Sequence, residues 1–461
     1  MPRFRPVAAG VVAALVGTAA PAPSAQVAPA PSSPVVAPSV AMPDSLSLDD
    51  ARTLALARSP DLAAFAFETR AREALLVQAG RRPNPTLSAE AENLFAPSDA
   101  DGTDQAQTTV QVSQLVELGR RRAARVRLAE AERDLLPFDV AVARLDVAAR
   151  VAARFALLVA AQDRARLALE TATLAEQGLG TTAQQVSLGD RSPIEQTRAS
   201  VALATVRAEA ARAGRAREAA ARQLAALWGA AETPPAAVVG TLGPPPALPT
   251  FAALVARLDA TPDLGRFTAE AARRDALVAA ERAARTPGLT VSAGVRQFHR
   301  GGNAVVVGLS VPVPMFGRNG GGIRAAEERR EATDAEREAV RSALIGRLAE
   351  AYGRLAAAHD EARILNEAAV PGALDAFEAV REGYRLGRFD YLEVLDAQRT
   401  YVDARGRLLD ARASYVAAAA EVERLTGVPL LDDTPATDEI PRLPGADPST
   451  RPTDTPSPSD R

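Results

Sequence analysis

Apolar and polar residues alternate in stretches of this chain as they do in strands with one apolar face. In residues 289–313 the apolar positions form two runs, Leu289, Val291, Ala293 and Val295, then Val305, Val307, Leu309, Val311 and Val313. Earlier, Leu87, Ala89 and Ala91 share one face, while Ser88, Glu90 and Glu92 share the other. A period of two residues predicts strands. We therefore expect strand pairs in which Glu90 and Glu92 face water.

A second pattern has a period of seven residues. Between 391 and 427 one column contains Val394, Tyr401, Leu408, Tyr415 and Val422, and a second contains Leu395, Val402, Leu409 and Val416. A strict seven-residue period predicts a left-handed coiled coil. The segment 119–185 has Pro137 as its single proline and predicts a helix of about 100 Å. Pro371 is expected to bend the second long helix.

The pattern occurs twice along the chain. SPDL at 59–62 matches TPDL at 261–264, and Leu188-Gly189 matches Leu386-Gly387. Such duplication predicts two copies of one structural unit. We expect a first repeat at 47–229, a linker at 230–249 and a second repeat at 250–428, each with a helix, two strands, a very long helix, a tight turn and a helix. The opening helices are expected at 47–79 and 250–284.

Proline and glycine separate the second strand pair from its long helix. The stretch GLSVPVPMFGRNGGG at 308–322 ends the strand pattern, and we expect Gly317 and the glycines 320–322 to form a turn there.

The ends of the chain differ from its middle. Residues 1–25 combine two arginines, an apolar run and small residues, and so predict a secretory signal peptide. Residues 26–46 predict a Pro/Ala-rich linker, and residues 429–461 a disordered tail.

The amino-acid composition argues against several classes of function. A net charge of -3 provides no basic surplus for nucleic acid, and the absence of cysteine removes disulfides and thiolate metal sites. The two histidines, His299 and His359, form no catalytic or zinc-binding motif. We therefore expect neither an enzyme nor a resident cofactor or metal.

Charges recur every few residues in the predicted helices, so any membrane span must consist of strands. Two strands in each repeat give four per chain, whereas closed membrane barrels begin at about eight strands. Dimers, trimers and tetramers with 8, 12 or 16 strands all remain open on this argument. A half-buried sheet in a non-membrane protein, such as a periplasmic coiled-coil adaptor or structural scaffold, is the alternative.

Four segments carry a family resemblance that covers residues 47–428. The strand-to-helix turns SQLVELGRRR and SVPVPMFGRN, and the segments LGDRSPIEQTRA and YRLGRFDYLEVLDAQRTY, resemble the TolC family of outer-membrane efflux proteins. The turns are most similar to its heavy-metal-resistance branch, of the CzcC and CusC kind. The resemblance implies an α+β membrane protein: a homotrimer with a twelve-stranded outer-membrane β-barrel that continues as a periplasmic α-helical barrel. Its implied partners are outer-membrane lipid, a periplasmic adaptor and an inner-membrane efflux pump.

The same resemblance assigns roles to individual residues. Leu188, Gly189, Leu386 and Gly387 match the periplasmic turns that meet the adaptor. Glu393 and Asp396 match an acidic pair that rings the closed periplasmic aperture, and Glu195 and Tyr384 match a polar network that holds it shut. The arginine of that network corresponds to Phe389 here, so we expect Arg388 or Arg385 to replace it. The implied function is passive conduction of metal cations or small toxic compounds.

Overall fold

The computed structural model describes residues 45–93, 106–240, 242–243, 246–299 and 301–431. The strands are β1 (Ser45–Leu46), β2 (Thr86–Glu92), β3 (Gln107–Val116), β4 (Ala237–Val238), β5 (Leu289–Phe298) and β6 (Asn303–Ser310). The helices are α1 (Leu48–Arg58), α2 (Pro60–Gly80), α3 (Arg121–Asp134), α4 (Leu136–Ser187), α5 (Pro193–Ala225), α6 (Phe251–Val255), α7 (Pro262–Ala284), α8 (Gly320–Ile364), α9 (Val370–Arg385) and α10 (Tyr391–Thr426). The described chain is thus mostly helical, and the order helix, strand pair, long helices occurs twice.

The predicted strand pairs form one antiparallel sheet. Its order is β2-β3-β5-β6, so β2 and β6 are its edges. β6 ends at Ser310, and the prediction that it continues to Val313 is therefore wrong. Pro312 explains the early end, because proline has no backbone N–H to donate to a neighbouring strand.

The sheet has one apolar and one polar face. The register pairs Val291 with Leu309, Ala293 with Val307 and Val295 with Val305, which places these side chains on one face. This face is not covered within the chain, since Val305 is 80% exposed and Leu309 is 72% exposed. The opposite face contains Glu90, Glu92, Thr109 and Arg296, and Arg296 donates to the Thr109 hydroxyl at 3.0 Å.

Proline divides helices that the sequence predicted as continuous. The predicted helix 47–79 is broken at Ser59, and its counterpart 250–284 is broken at Thr261. Both residues have extended backbone and precede a proline, which disfavours helical geometry at the residue before it. The predicted long helix 119–185 is likewise divided into two helices, α3 and α4. They are separated at Leu135, and Pro137 lies in the first turn of α4.

Two left-handed residues connect the sheet to its long helices. Arg120 has φ 64° before α3, and Asn319 has φ 54° before α8. The side-chain amide of Asn319 donates to the carbonyl of Glu281 at 3.0 Å and to its carboxylate at 2.6 Å, which ties the turn to α7. The glycines 320–322 form the first turn of α8, so the prediction that they belong to the preceding turn is wrong.

The seven-residue pattern of α10 matches its burial, with one difference. Val394, Tyr401, Leu408, Tyr415 and Val422 are all buried. Of the predicted second column, Leu409 is buried, whereas Leu395, Val402 and Val416 are half-buried. The second column that is buried throughout contains Tyr391, Gln398, Arg405, Arg412, Ala419 and Thr426. Helix α10 packs against α4 and α8 as well as against α9.

Helix α8 joins α9 through a π-helical turn, Leu365–Ala369, directly before Pro371. The Val370 N–H donates to the Leu365 carbonyl five residues earlier. Buried Arg412 holds this turn, because it donates to the Asn366 side chain at 2.6 Å and to the Leu242 carbonyl at 2.6 Å. A π-turn is a common cause of kinks, and this one lies where the bend at Pro371 was expected; the bend itself stays a prediction.

The predicted signal peptide 1–25 lies outside the described residues, as do almost all of the linker 26–46 and most of the tail 429–461. The boundaries of the two repeats stay predictions. A short parallel pairing of β1 with β4, which the sequence pattern did not predict, joins the end of the linker 26–46 to the linker 230–249. Within the part of the chain that the structure describes, no helix is both long and apolar enough to cross a membrane.

Candidate functional site at the hairpin tips

The turn between α4 and α5 is built around Gly189. Gly189 has φ 82°, a left-handed conformation that glycine adopts without steric cost. Its N–H donates to the Val186 carbonyl at 3.1 Å, and the N–H of Asp190 donates to the Gln185 carbonyl at 2.9 Å. This pair of bonds is a Schellman motif, which ends a helix sharply. Leu188, beside Gly189, is 69% exposed.

The turn between α9 and α10 has the same geometry. Gly387 has φ 73°, and its N–H donates to the Tyr384 carbonyl at 3.0 Å. The Arg388 N–H donates to the Gly383 carbonyl at 2.8 Å, which completes a second Schellman motif. Leu386 is 59% exposed, so both tips present a leucine and a left-handed glycine to the surroundings.

Side chains from both hairpins meet just above these turns. We call Gln185, Arg191, Glu195, Tyr384 and Tyr391 the tip cluster. The Tyr384 hydroxyl donates to the Gln185 side-chain oxygen at 3.2 Å, and the Tyr384 and Tyr391 rings lie 5.8 Å apart. The Arg191 guanidinium lies 4.9 Å from the centre of the Tyr384 ring and 3.9 Å from the Glu195 carboxylate. The first hairpin is therefore joined to the second by polar and aromatic contacts.

Burial makes the tip cluster electrostatically unusual. Tyr384 and Tyr391 are buried, and burial raises the pKa of the Tyr391 hydroxyl. One carboxylate oxygen of Glu195 is buried and accepts no hydrogen bond from any described residue. Its ion pair with Arg191 is the closest compensation for that charge.

Arg191 lies near both Tyr384 and Glu195, two residues predicted to hold the aperture shut, whereas the arginines expected in that network do not; the network itself stays a prediction. Arg388 is exposed and forms no ion pair with a described residue, and Arg385 pairs with Glu382 at 3.0 Å. Phe389 packs its ring against the backbone of Gly383. Arg191 was not predicted because it belongs to the other hairpin, far along the chain from Phe389.

Glu393 and Asp396 are both exposed on the first turns of α10, three residues apart and so on neighbouring positions of one face. Glu393 also has a structural role: its carboxylate accepts from the Asp390 N–H at 2.9 Å, while Asp390 accepts from the Glu393 N–H at 3.0 Å. This reciprocal capping box fixes the start of α10. Asp396 forms no ion pair within the described residues.

No group of three or more His, Asp or Glu side chains with the geometry to hold a metal ion occurs among the described residues.

Comparison with known proteins decides the family. The outer membrane efflux protein family matches residues 51–230 and 254–428. This chain belongs to that family. The protein is accordingly an efflux protein of the outer membrane, and the alternative of a periplasmic adaptor or scaffold is set aside. Relatives that act in efflux support a non-enzymatic role at the level of the family.

Named relatives of this efflux protein act in heavy-metal resistance. It is 34% identical over 383 residues to the cobalt-zinc-cadmium resistance protein CzcC of Cupriavidus metallidurans, covering 83% of this chain and 90% of the relative. It is 32% identical to the nickel and cobalt resistance protein CnrC of the same organism, covering 62% of this chain and 68% of the relative.

Solved structures of low sequence identity share the fold. A membrane protein from Pseudomonas aeruginosa superposes with a TM-score of 0.66 at 21% identity, covering 82% of this chain and 90% of that one. CusC superposes with a TM-score of 0.65 at 18% identity, covering 82% and 91% of the two chains.

Proposed function

We propose that this efflux protein is the outer-membrane channel of a tripartite heavy-metal exporter. Three copies close a twelve-stranded β-barrel in the outer membrane, and their helices form a tunnel through the periplasm. The channel conducts substrate passively, after a pump in the inner membrane and a periplasmic adaptor have delivered it.

The edges of the four-stranded sheet carry this proposal. β2 and β6 each have one side that pairs with no described strand, and the sheet exposes a continuous apolar face. In a bilayer each unpaired backbone group costs several kcal/mol, so edges must be paired. A neighbouring copy supplies the missing strand, because β6 of one chain can extend the sheet at β2 of the next. The sheet edges alone do not set the number of copies, and we take three from the resemblance to the TolC family.

The tips provide the periplasmic end of the tunnel. Leu188 and Leu386 are exposed apolar side chains beside left-handed glycines, which suits a site where an adaptor approaches closely. We assign Leu188, Gly189, Leu386 and Gly387 to adaptor docking. The tip cluster keeps the aperture closed, with Arg191 in the role that Arg388 or Arg385 was expected to fill. Three copies of Glu393 and Asp396 would surround that opening with carboxylates, which favour cations over anions.

The identity of the substrate follows from relatives. CzcC and CnrC are named for resistance to cobalt, zinc, cadmium and nickel, and this chain covers most of CzcC. The scarcity of soft ligands in the chain is compatible with a duct that passes metal ions without binding them.

Cysteine cross-linking tests the trimer, because the chain contains no cysteine of its own. Glu90→Cys on β2 and Val306→Cys on β6 place one thiol on each edge, both on the polar face. Oxidation in membranes should give covalent species that end at three copies. A control with Gln111→Cys on central β3 in place of Glu90→Cys should give none. A ladder that ends at two or four copies would contradict the proposal.

Resistance assays test the substrate. A strain that lacks its own channel but keeps a metal pump and adaptor should regain cobalt, zinc and cadmium tolerance when this chain is expressed. Restored tolerance to organic toxicants without restored metal tolerance would favour small toxic compounds as the cargo.

A further inference from the structure

Arginines gather where the sheet meets the helices. The register pairs Thr86 with Ser113, Val116 with Leu289 and Thr290 with Ser310, so all four strands meet their helices at the same end of the sheet. Each of the four connections at this end contains arginine. We call these residues the arginine belt: Arg81, Arg82, Arg120, Arg121, Arg122, Arg285, Arg318 and Arg324.

The connections lie next to one another. Arg125 donates to the Arg81 carbonyl at 3.0 Å, which brings the α2–β2 connection to α3. Gly119 lies so close to Thr286 that any side chain at position 119 would collide with it, which brings the β3–α3 connection to the α7–β5 connection. Arg285 and Arg318 line one hollow of about 730 Å³, which brings the α7–β5 connection to the β6–α8 connection. The belt is therefore continuous across both repeats.

The arginines of the belt lack ion-pair partners within the part of the chain that the structure describes. All are exposed except Arg121, which is half-buried, and none forms an ion pair with a described residue. The neighbouring carboxylates are already engaged: Glu117 pairs with Arg125 at 2.6 Å, and Glu327 pairs with Arg282 at 2.6 Å. Glu281 accepts from Asn319. Arg121 and Arg122 also lie near Glu117, and Arg120 lines one hollow with Glu331, so part of the charge is compensated and the eight arginines leave a surplus of positive charge.

Apolar side chains border the belt on its sheet side. Val116 and Leu118 are exposed before Arg120, and Val313, Met315 and Phe316 are exposed before Arg318, with Phe316 fully exposed. In both repeats the order is exposed apolar residues, one glycine and then arginine. This order matches the passage from acyl chains to headgroups in a lipid leaflet, where arginine reaches phosphate.

We infer that the arginine belt binds the phosphates of anionic phospholipids in the periplasmic leaflet of the outer membrane. The inference rests on the proposed position of the sheet in that membrane. Guanidinium groups form bidentate hydrogen bonds with phosphate. Each basic residue near an anionic membrane surface strengthens binding to that membrane several-fold. The belt fixes the depth of the channel, with the sheet among the acyl chains and the helices in the periplasm.

The test uses the full-length protein in nanodiscs of phosphatidylcholine containing one part in about ten of phosphatidylglycerol. Native mass spectrometry of the released complex reports both the number of copies and the lipids that remain bound. The wild type should retain phosphatidylglycerol well above its bulk fraction. Replacing one arginine in each connection (Arg82→Gln, Arg122→Gln, Arg285→Gln and Arg318→Gln) should return the retained fraction of phosphatidylglycerol to about its bulk value.

A matched control removes four exposed arginines of the helices, Arg198→Gln, Arg217→Gln, Arg222→Gln and Arg407→Gln, and should keep wild-type enrichment. Raising salt from 0.1 to 1 M should weaken the enrichment in the unmodified protein, so the result does not depend on folding of the variant.

Unchanged enrichment in the belt variant, an equal loss in the control, or no effect of salt would overturn the inference. Displacement of the lipid by millimolar glycerol phosphate would assign the belt to free phosphate instead. Absence of a trimer in the nanodisc would contradict the proposed function. A trimer that retained no excess of phosphatidylglycerol would contradict only the inference that the arginine belt binds lipid.

Discussion

The guanidinium of Arg191 lies 4.9 Å from the centre of the Tyr384 ring, so a residue of the first hairpin rests on an aromatic residue of the second. A cation over an aromatic face contributes about 0.5–2 kcal/mol, more when solvent is excluded. The contact also keeps Arg191 3.9 Å from one carboxylate oxygen of Glu195, whose other oxygen is buried and accepts no hydrogen bond from a described residue. One arginine thus connects the two tips and neutralises a buried charge.

Arg191→Ala should loosen the closed entrance. Loss of the contact with Tyr384 and of the ion pair with Glu195 should raise the leak conductance in planar bilayers roughly tenfold, for a stabilisation of about 1.4 kcal/mol. Arg198→Ala on the same helix is the control, since this exposed side chain pairs with no described residue. Equal conductance of both variants would show that Arg191 does not hold the entrance.

Glu393 and Asp396 require substitutions that preserve the cap of α10. Glu393→Gln keeps an oxygen that can accept from the Asp390 N–H, so a double variant with Asp396→Asn removes charge without removing the capping box. We expect higher leak conductance and weaker block by polyvalent cations. Asp375→Asn with Asp403→Asn removes two other exposed charges as a control. Unchanged block in the test variant would place these carboxylates away from the constriction.

Gly383 and Phe389 form a pair whose substitutions should be strongly coupled. A side chain at Gly383 would collide with the Phe389 ring, so Gly383→Ala should cost about 1–3 kcal/mol in the wild-type background. In a Phe389→Ala background the collision is absent, and alanine should then stabilise helix α9 by about 0.5–1 kcal/mol. Thermal unfolding of the four variants in detergent measures this reversal of sign. The same effect of Gly383→Ala in both backgrounds would contradict the packing.

The sequence predicted the periodic parts of this fold and missed the parts that depend on distant contacts. Alternation located β5 and β6, and the column from Val394 to Val422 is buried as expected, because a regular period reports directly which face is covered. The second buried column was missed because Gln398, Arg405 and Arg412 are polar. Their burial depends on partners far along the chain, such as Glu170 for Arg405 at 3.5 Å.

The tips illustrate the same limit. Glycines at Gly189 and Gly387 are recognisable from local sequence, because only the local backbone requires them. Arg191 could not be assigned in this way, since its partner Tyr384 lies in the other repeat and local spacing does not report that contact.

Arg412 should be essential for the π-turn. Its guanidinium is buried and satisfies the Leu242 carbonyl and the Asn366 side chain. Arg412→Met keeps the aliphatic bulk but leaves these groups unsatisfied, which should cost about 2–4 kcal/mol of unfolding free energy. Hydrogen exchange in Leu365–Ala369 should accelerate, while exposed Arg407→Met should change neither quantity. Asn366→Ala should cost less in the Arg412→Met background than alone; equal costs would show that the two side chains do not act together.

Glu270 should make stability depend on acid pH. Hydrogen bonds from Arg273, and then from Arg274, lower the pKa of Glu270 to about 2 from 4.5, although burial opposes them. Because the folded-state pKa lies below the unfolded value, this stabilisation is complete above about pH 4.5 and is lost as pH falls toward 2. Glu270→Gln should therefore be less stable than wild type by on the order of 2 kcal/mol at pH 6, and the difference should shrink toward pH 2. Thermal unfolding across this range measures the difference, and Glu350→Gln, at an exposed ion pair with Arg354, is the control. A difference between Glu270→Gln and wild type that stayed constant with pH would show that ionisation of Glu270 is not its source.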